Sequence, residues 1–489
     1  MNENSMIVAV LLPMIAGVMI PTLPLKTQKS RNIFTIIAVI LTSILVLALV
    51  IFPPTTTATF FRFTMHLSVA LKLDGLGRLF AALVAILWPL ATLYAFEYME
   101  HEPRQPAFFM FYTMVYGSTL GVCMAHNVVT LYFFYELLSV VTLPLIMHSM
   151  SKEALKASRS YLYFMFTGAA LAFVSLMYLM NFASTTVFVY GGAVNANTVM
   201  DNRLLFEAMY ICTFFGFGMK TAVFPFCKWL PQAGVAPTPV TALLHAVALV
   251  NTGAFAVARM TYYTFGAENL TAGLGQRVCQ IAAIITIVYG CSRAVKESHF
   301  KRRLAWSTVS NLSYMLFGIL LLTPLGLVAG MCHMVCHSFM KIALFFVAGA
   351  VNEKTKRYYT YELDGLGRKM PILFTVFTIA GIALMGTPGL CGFVSKWYLA
   401  KAAMQTDTIA GYIGVGALLI SSLLTAIYIM TIVVRAFFPP KEFDYATLDG
   451  ITDPGWRMLL PLIIFIVGIV VLGLYSGPLL DYLNLLGEI

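Results

Sequence analysis

The sequence predicts an all-α, polytopic membrane protein with fourteen transmembrane helices. Three observations predict it. Hydrophobic residues make up 60% of the 489-residue chain and charged residues 11%, where a soluble domain has about 45–50% and about 25%. Uncharged runs such as 33–51 and 458–480 reach the roughly 20 apolar residues that a helix needs to cross a bilayer core. The alternating segments of about ten residues that mark a transmembrane β-barrel do not occur. Water cannot be the main solvent of such a chain, which excludes soluble enzymes, disordered regulators and nucleic-acid-binding domains.

The fourteen spans fall at 6–25, 32–53, 76–97, 107–125, 127–149, 157–182, 204–228, 240–264, 277–295, 303–323, 325–351, 371–403, 409–438 and 457–483. The first has no basic residues before its apolar stretch and no small-residue cleavage site, so it reads as a retained helix and not a signal peptide. The third is bounded by Asp74 and Glu97, the fourth and fifth are parted only by His126 and Asn127, and the tenth and eleventh by the Thr323–Pro324 break. The longest connections, near 54–75, 183–203 and 439–456, are too short for a soluble domain.

The basic residues set the topology. Loops after odd-numbered spans carry nineteen Lys and Arg residues, from Lys26 to Arg457, and loops after even-numbered spans carry five: Arg62, Lys72, Arg203, Arg277 and Lys401. The positive-inside rule then puts the first set in the cytoplasm. Both termini face outward, and the net charge of +10 is mostly a topology signal and not a nucleic-acid one.

Four charges fall near the centres of spans: Glu136, Lys220, Lys341 and Lys396. Each costs about 2.5–3.5 kcal/mol on the insertion scale. Structural salt bridges or snorkelling ends are the alternative reading, yet three lysines outnumber the single glutamate. His333, His337 and Lys341 recur every four residues, so they lie along one helix face and read as a proton relay. His245 lies in the eighth span. Cys332 and Cys336 flank these histidines, but the spacing is not C-x-x-C-H and no second Cys–His cluster completes a metal site. No metal is expected. No nucleotide, haem or iron–sulfur motif occurs, so no cofactor is expected either.

Two spans are expected to be broken. The seventh holds Pro225 and Pro231 after Lys220; the twelfth holds Gly386, Pro388 and Gly389 before Lys396. Irregular backbone at membrane depth is tolerated only where protein covers it or it lines water. Interrupted helices at corresponding places in two halves mark ion sites in transporters built from inverted repeats.

The stretches Met219-Lys220-Thr221-Ala222-Val223-Phe224-Pro225 and Ala236-Pro237-Thr238-Pro239-Val240-Thr241-Ala242-Leu243-Leu244-His245 resemble the antiporter-like subunits of respiratory complex I, Mrp-type cation/proton antiporters and energy-converting membrane hydrogenases. So do Lys301-Arg302-Arg303-Leu304-Ala305-Trp306-Ser307-Thr308 at the tenth helix, His333-x-x-x-His337-Ser338-Phe339-Met340-Lys341 in the eleventh, and Gly386-Thr387-Pro388-Gly389 through Lys396 in the twelfth. The likeness runs from about residue 70 to 440. Two departures stand out: Cys227 where the family often has histidine, and Thr387-Pro388-Gly389 in place of a Pro-Pro pair.

The resemblance implies two inverted five-helix repeats, helices 4–8 and 9–13. The corresponding units are 1–106 (helices 1–3), 107–264, 275–438 and 457–489 (helix 14). It implies that Glu136 pairs with Lys220, that His245 belongs to the same half, and that His333, His337 and Lys341 form the central bridge. Lys396 would be the far gate, a position that is glutamate in one complex I subunit type. The chain is expected to lack the lateral helix of the largest members, and its size suits the D-type Mrp subunit or its hydrogenase and complex I relatives. Implied partners are other membrane subunits, protons, sodium or potassium, and the lipid of a bacterial or archaeal plasma membrane. A secondary antiporter, a redox-driven proton pump and a purely structural scaffold are the three function classes left open.

Overall fold

The computed structural model describes residues 2–25, 27–64 and 67–487. Lys26, counted above among the basic loop residues, lies outside the described residues, as do positions 488–489 of the last expected unit. Six helices come first: α1 (Asn4–Thr22), α2 (Gln28–Ile51), α3 (Gly75–Tyr98), α4 (Gln105–Cys123), α5 (Val128–Ile146) and α6 (Lys152–Phe182). The connection 183–203 holds α7 (Ala196–Asp201), and the seventh and eighth predicted spans with the link between them become α8 (Arg203–Gly218), α9 (Trp229–Ala233), α10 (Thr238–Ala246) and α11 (Leu249–Met260). Then follow α12 (Ala267–Leu270), α13 (Leu274–Lys296), α14 (Phe300–Leu320) and α15 (Pro324–Thr355). The remainder are α16 (Leu366–Lys369), α17 (Pro371–Met385), α18 (Cys391–Gln405), α19 (Ile409–Phe437), α20 (Trp456–Leu474) and α21 (Gly477–Gly487).

The starts of the long helices are written locally. Thr27, Asp74, Asn127, Ser151, Thr323 and Thr408 each accept a hydrogen bond from the backbone N–H three residues on. Each such cap satisfies one of the donors that a helix start leaves open. Ten helices among the described residues are long and apolar enough to cross a membrane, counting the stretch Thr238–Phe265 as one. The other predicted segments are also helical, but α8, α17 and α18 are short because their spans are interrupted, and α14 opens on Lys301, Arg302 and Arg303.

Burial sorts the bundle into an inner and an outer set. The most apolar window of Thr238–Phe265 is wholly buried and that of α15 is 94% buried, against 28% for α20 and 39% for α2. Helices α10, α14, α17, α18 and α20 pack around α15. The outer helices turn residues such as Ile44, Tyr163, Leu423 and Val467 outward, as a lipid-facing surface requires.

Three features differ from the expected all-α bundle broken only in its seventh and twelfth spans. The connection 54–75 carries an antiparallel hairpin, β1 (Ala58–Arg62) with β2 (Ser68–Leu71), in which Ala58 faces Leu71 and Arg62 faces Ser68. Its β2 strand is held by the start of α5: Ala70 N donates to Thr130 Oγ1 (2.9 Å), and Asn127 Nδ2 donates to Ser68 O (3.0 Å). The eighth span is interrupted at Val247 and Ala248, between α10 and α11. The last span stops at Leu474, and α21 follows as a separate helix whose Tyr482 hydroxyl donates to Gly75 O (2.7 Å).

Candidate functional site: a buried row of ionisable side chains

The predicted breaks are present, and each is stabilised by side chains around it. After α8 the chain makes a single 3-10 turn, Met219–Thr221, and Ala222 then takes a left-handed conformation (φ 55°). The freed backbone groups are met: Trp229 Nε1 donates to Met219 O (3.0 Å) and Phe224 N donates to Thr286 Oγ1 of α13 (2.9 Å). Pro225 lies in this linker, whereas Pro231 sits in the first turn of α9, where a missing N–H costs nothing. The second break runs from Gly386 to Leu390, with Gly386 at φ 96° and Gly389 at φ 86°. Pro388 lies between them, and Thr387 Oγ1 donates back to Ile382 O (3.0 Å).

Each break presents a lysine, fully buried at Lys220 and half-buried at Lys396. Lys220 occupies the 3-10 turn, fully buried. Its ammonium donates to the carbonyl of Tyr135 on α5 and stands 3.3 Å from the centre of the Tyr135 ring, a cation–π geometry. Lys396 on α18 reaches back across its break to the end of α17. Its Nζ donates to Leu384 O (2.8 Å), Met385 O (3.0 Å) and Ser422 Oγ (2.9 Å). The open carbonyls and the negative end of the α17 dipole are thus met by one cation.

Between the two breaks runs α15. His333, His337 and Lys341 are fully buried along it, and the two imidazole rings lie 6.1 Å apart between centres. His333 Nδ1 is 2.9 Å from Ser395 Oγ, the residue before Lys396. Lys341 Nζ donates to Leu304 O (3.2 Å) and to Ser307 Oγ, both on α14. His245, at the last turn of α10, stacks 4.9 Å from the ring of Phe345, one turn beyond Lys341 on α15. Neither nitrogen of His245, neither nitrogen of His337, and not Nε2 of His333 meets a protein hydrogen-bond partner among the described residues. The residue after the α10–α11 interruption that secures it is Asn251. Its Nδ2 donates to Ala246 O (2.9 Å) and to Ser338 Oγ (2.8 Å), and Ser338 Oγ in turn donates to Ala246 O (2.7 Å).

The predicted residues therefore divide. His333, His337, Lys341 and Lys396 are brought together through α15 and Ser395; His245 joins them through Phe345. Glu136 and Lys220 are neighbours but form no ion pair within 4.0 Å among the described residues. Lys220 meets instead the carbonyl of the residue preceding Glu136. Glu136 is half-buried, and its buried Oε1 has no partner. It lies three and four residues from the exposed Phe133 and Val140, at the edge of the buried face of α5.

Buried charges also stand outside the predicted set, among them Glu207, Arg259, Lys301 and Arg303. Arg259 of α11 is fully buried and forks onto both oxygens of Asp74, the N-cap of α3. The faces of Tyr263, Phe255 and Phe188 lie 4.9–5.3 Å from its guanidinium. The one arginine inside the eighth span, which carries no acidic residue, was the available sequence signal.

Residues 125–425 match the family described as NADH:quinone oxidoreductase/Mrp antiporter, transmembrane, and residues 61–109 match the N-terminus of chain 5 of NADH-ubiquinone oxidoreductase (complex I). The chain is 30% identical over 429 residues to a probable K(+)/H(+) antiporter protein of the A/B type from Rhizobium meliloti, covering 85% of this chain and 41% of that protein. It is 28% identical over 426 residues to the N-type subunit of the NADH-quinone oxidoreductase of Desulforudis audaxviator, covering 84% and 83%. Of the A-type protein of a Na(+)/H(+) antiporter from Alkalihalophilus pseudofirmus it spans half the length, 50%. Solved structures share the fold. A chain of the Mrp complex of Dietzia sp. superposes with TM-score 0.86 at 23% identity, over 99% of this chain and 52% of that one. A chain of the membrane-bound sulfane sulfur reductase, an archaeal respiratory complex, superposes with TM-score 0.86 at 22% identity, over 100% and 97%.

Proposed function

The chain belongs to the NADH:quinone oxidoreductase/Mrp antiporter transmembrane family, and from that premise we propose that it is a proton-translocating subunit of a multi-subunit membrane complex. The single observation that carries this reading is the row His333, His337 and Lys341 on α15, fully buried and linked through Ser395 to the α18 lysine, Lys396. Charged and titratable groups inside a membrane protein face its interior or a water-filled cavity and mark ion pathways. The five buried imidazole nitrogens without a protein partner support a hydrated path, because each would otherwise forfeit about 1–3 kcal/mol.

In this reading the fourteen expected segments are fourteen spans, and helices 4–8 and 9–13 are inverted repeats whose broken members carry Lys220 and Lys396. The units are 1–106, 107–264, 275–438 and 457–489. Protons pass from the half that holds Glu136, Lys220 and His245, over Lys341, His337 and His333, to Lys396. Burial favours the neutral form of an amine, and an approaching carboxylate favours its charged form. At about 4 Å and an effective dielectric of 20, an ion pair is worth about 4 kcal/mol. Closing the Glu136–Lys220 contact, which is open in this structure, then loads the lysine, and opening it releases the proton. Glu136 is half-buried beside the exposed Phe133 and Val140, so a neighbouring subunit that covers those residues is placed to move it.

The parent complex is an Mrp-type monovalent cation/proton antiporter or a close relative, with sodium or potassium as the exchanged ion. A second reading is the proton pump of a redox-driven complex. It is supported by the 28% identity over 426 residues with the N-type subunit of an NADH-quinone oxidoreductase. Affinity purification from native membranes with mass identification of the co-purifying subunits separates the two. Small membrane subunits alone support the antiporter, and iron–sulfur or quinone-reducing subunits support the pump. A chain that purifies alone while still moving protons overturns the multi-subunit reading.

A further inference from the structure

A cleft of about 600 Å³ opens on the face that carries the excess of Lys and Arg, with Glu153, Lys156, Gln232 and Arg302 exposed at its mouth. Its floor is Lys301, 7% exposed, in the first turn of α14. Lys301 forms no ion pair within 4.0 Å among the described residues. Its Nζ instead lies 3.4 Å from Ala236 O and 3.4 Å from Thr238 Oγ1. Thr238 is the first residue of α10, and it is fully buried. Thr241 and His245 follow at intervals of three and four residues, both fully buried. That spacing puts Thr238, Thr241 and His245 on one face of α10, and the separation of seven residues between Thr238 and His245 is a rise of about 10.5 Å. A polar stripe thus leads from the lysine at the floor of an open cleft to an imidazole whose two nitrogens have no protein partner.

We infer that Lys301 is the residue through which protons are taken up from that cleft and passed along the Thr238–Thr241 face of α10 to His245. The inference rests on the proton-translocating function proposed above and assigns its uptake route. The Lys301 ammonium gives a proton to the hydroxyl or water file beside Thr238. In the structure Thr238 Oγ1 donates to the Tyr98 hydroxyl (3.2 Å) and Thr241 Oγ1 to Ala236 O (2.9 Å). Transfer therefore requires each hydroxyl to turn from that partner, accept on a lone pair and donate its own hydrogen onward, while water of the cleft returns a proton to Lys301. No bond other than O–H and N–H forms or breaks. Lys301 is suited to this because a lysine can surrender its proton, whereas an arginine in its place could not.

The test is proton uptake, read with a pH-sensitive dye, in inverted membrane vesicles from cells that produce the chain with its native partner subunits. Lys301→Arg keeps the charge and is expected to slow uptake about a hundredfold, the lower range for loss of a positioned proton-transfer group, with the complex recovered at the native amount. Thr238→Val, which removes the hydroxyl and keeps the shape, is expected to slow it as well, and Thr238→Ser to restore it. Native rates in Lys301→Arg, or in Thr238→Val, overturn the inference. Lys341→Ala run alongside separates the two levels. If it alone abolishes uptake, the route through Lys301 falls and the proposed function stands; if every variant transports at the native rate, both fall.

Discussion

The Ser395 hydroxyl lies 2.9 Å from Nδ1 of His333, and it couples α15 to α18 one residue before Lys396. Both residues are fully buried. The contact gives His333 its one hydrogen bond, since Nε2 has no protein partner. Ser395→Ala strips that bond and leaves a buried ring nitrogen open, a loss of about 1–3 kcal/mol. The expected outcome is a lower thermal midpoint of the purified complex and slower proton uptake in vesicles, with Ser395→Thr close to native. An unchanged midpoint in Ser395→Ala would mean that this contact does not hold His333.

Gly386 is required twice over. Its φ of 96° is left-handed, and a Cβ there would sit 3.0 Å from Cδ of Lys396. Gly386→Ala therefore combines about 1–2 kcal/mol of backbone strain with displacement of the lysine from the Leu384 and Met385 carbonyls. Uptake is expected to fall while Gly416→Ala, on an open position of α19, leaves it unchanged. Equal rates in the two variants would argue that Lys396 can leave those carbonyls without consequence.

The Asp74–Arg259 pair predicts a pH dependence of stability. Burial raises the Asp74 carboxyl, but the charge and hydrogen bonds of Arg259 outweigh this, and the net position is below its ordinary value. A carboxylate held lower in the folded state than in the unfolded one stabilises above the unfolded value, near pH 3.9, and loses that stability as pH falls through the folded value. The thermal midpoint of the purified complex should therefore fall more steeply below about pH 4 in the native chain than in Asp74→Asn. Because Asp74 is 32% exposed, solvent screens part of the effect. Arg259→Met is expected to be less costly than Asp74→Asn, which leaves a fully buried arginine unpaired at roughly 3–5 kcal/mol. Matching acid limbs in the native chain and Asp74→Asn would contradict the pairing's role.

Glu136→Gln keeps the shape of the side chain and removes its charge. The complex should assemble in native amount, and uptake should fall by at least about tenfold because Lys220 loses its switch. Loss of assembly with residual transport in the complexes that form would favour the structural reading of this glutamate.

How far the sequence reaches depends on what a feature costs. Lys220, Lys341 and Lys396 are legible because a charge in hydrocarbon is expensive wherever it occurs, and Gly386 and Pro225 are legible because they disrupt helix geometry on their own. The interruption at Val247–Ala248 is not legible, since both residues sit comfortably in helices. It is sustained by Asn251 and by Ser338, 87 residues further along the chain. Arg259 is explained only by Asp74, at a separation of 185 residues. The β1–β2 hairpin likewise depends on Thr130 and Asn127 from another helix. The open Glu136–Lys220 contact is a matter of side-chain placement within a correctly located pair of helices, which spacing cannot fix.

The most direct measurement is proton uptake by vesicles carrying the Lys341→Ala chain in its assembled complex, at native abundance, against the native chain. Lys341 sits at mid-row, fully buried, with Leu304 O and Ser307 Oγ as its hydrogen-bond acceptors. Interruption of the row at that point should abolish uptake while leaving the complex intact. Native uptake in Lys341→Ala would contradict a proton path along α15.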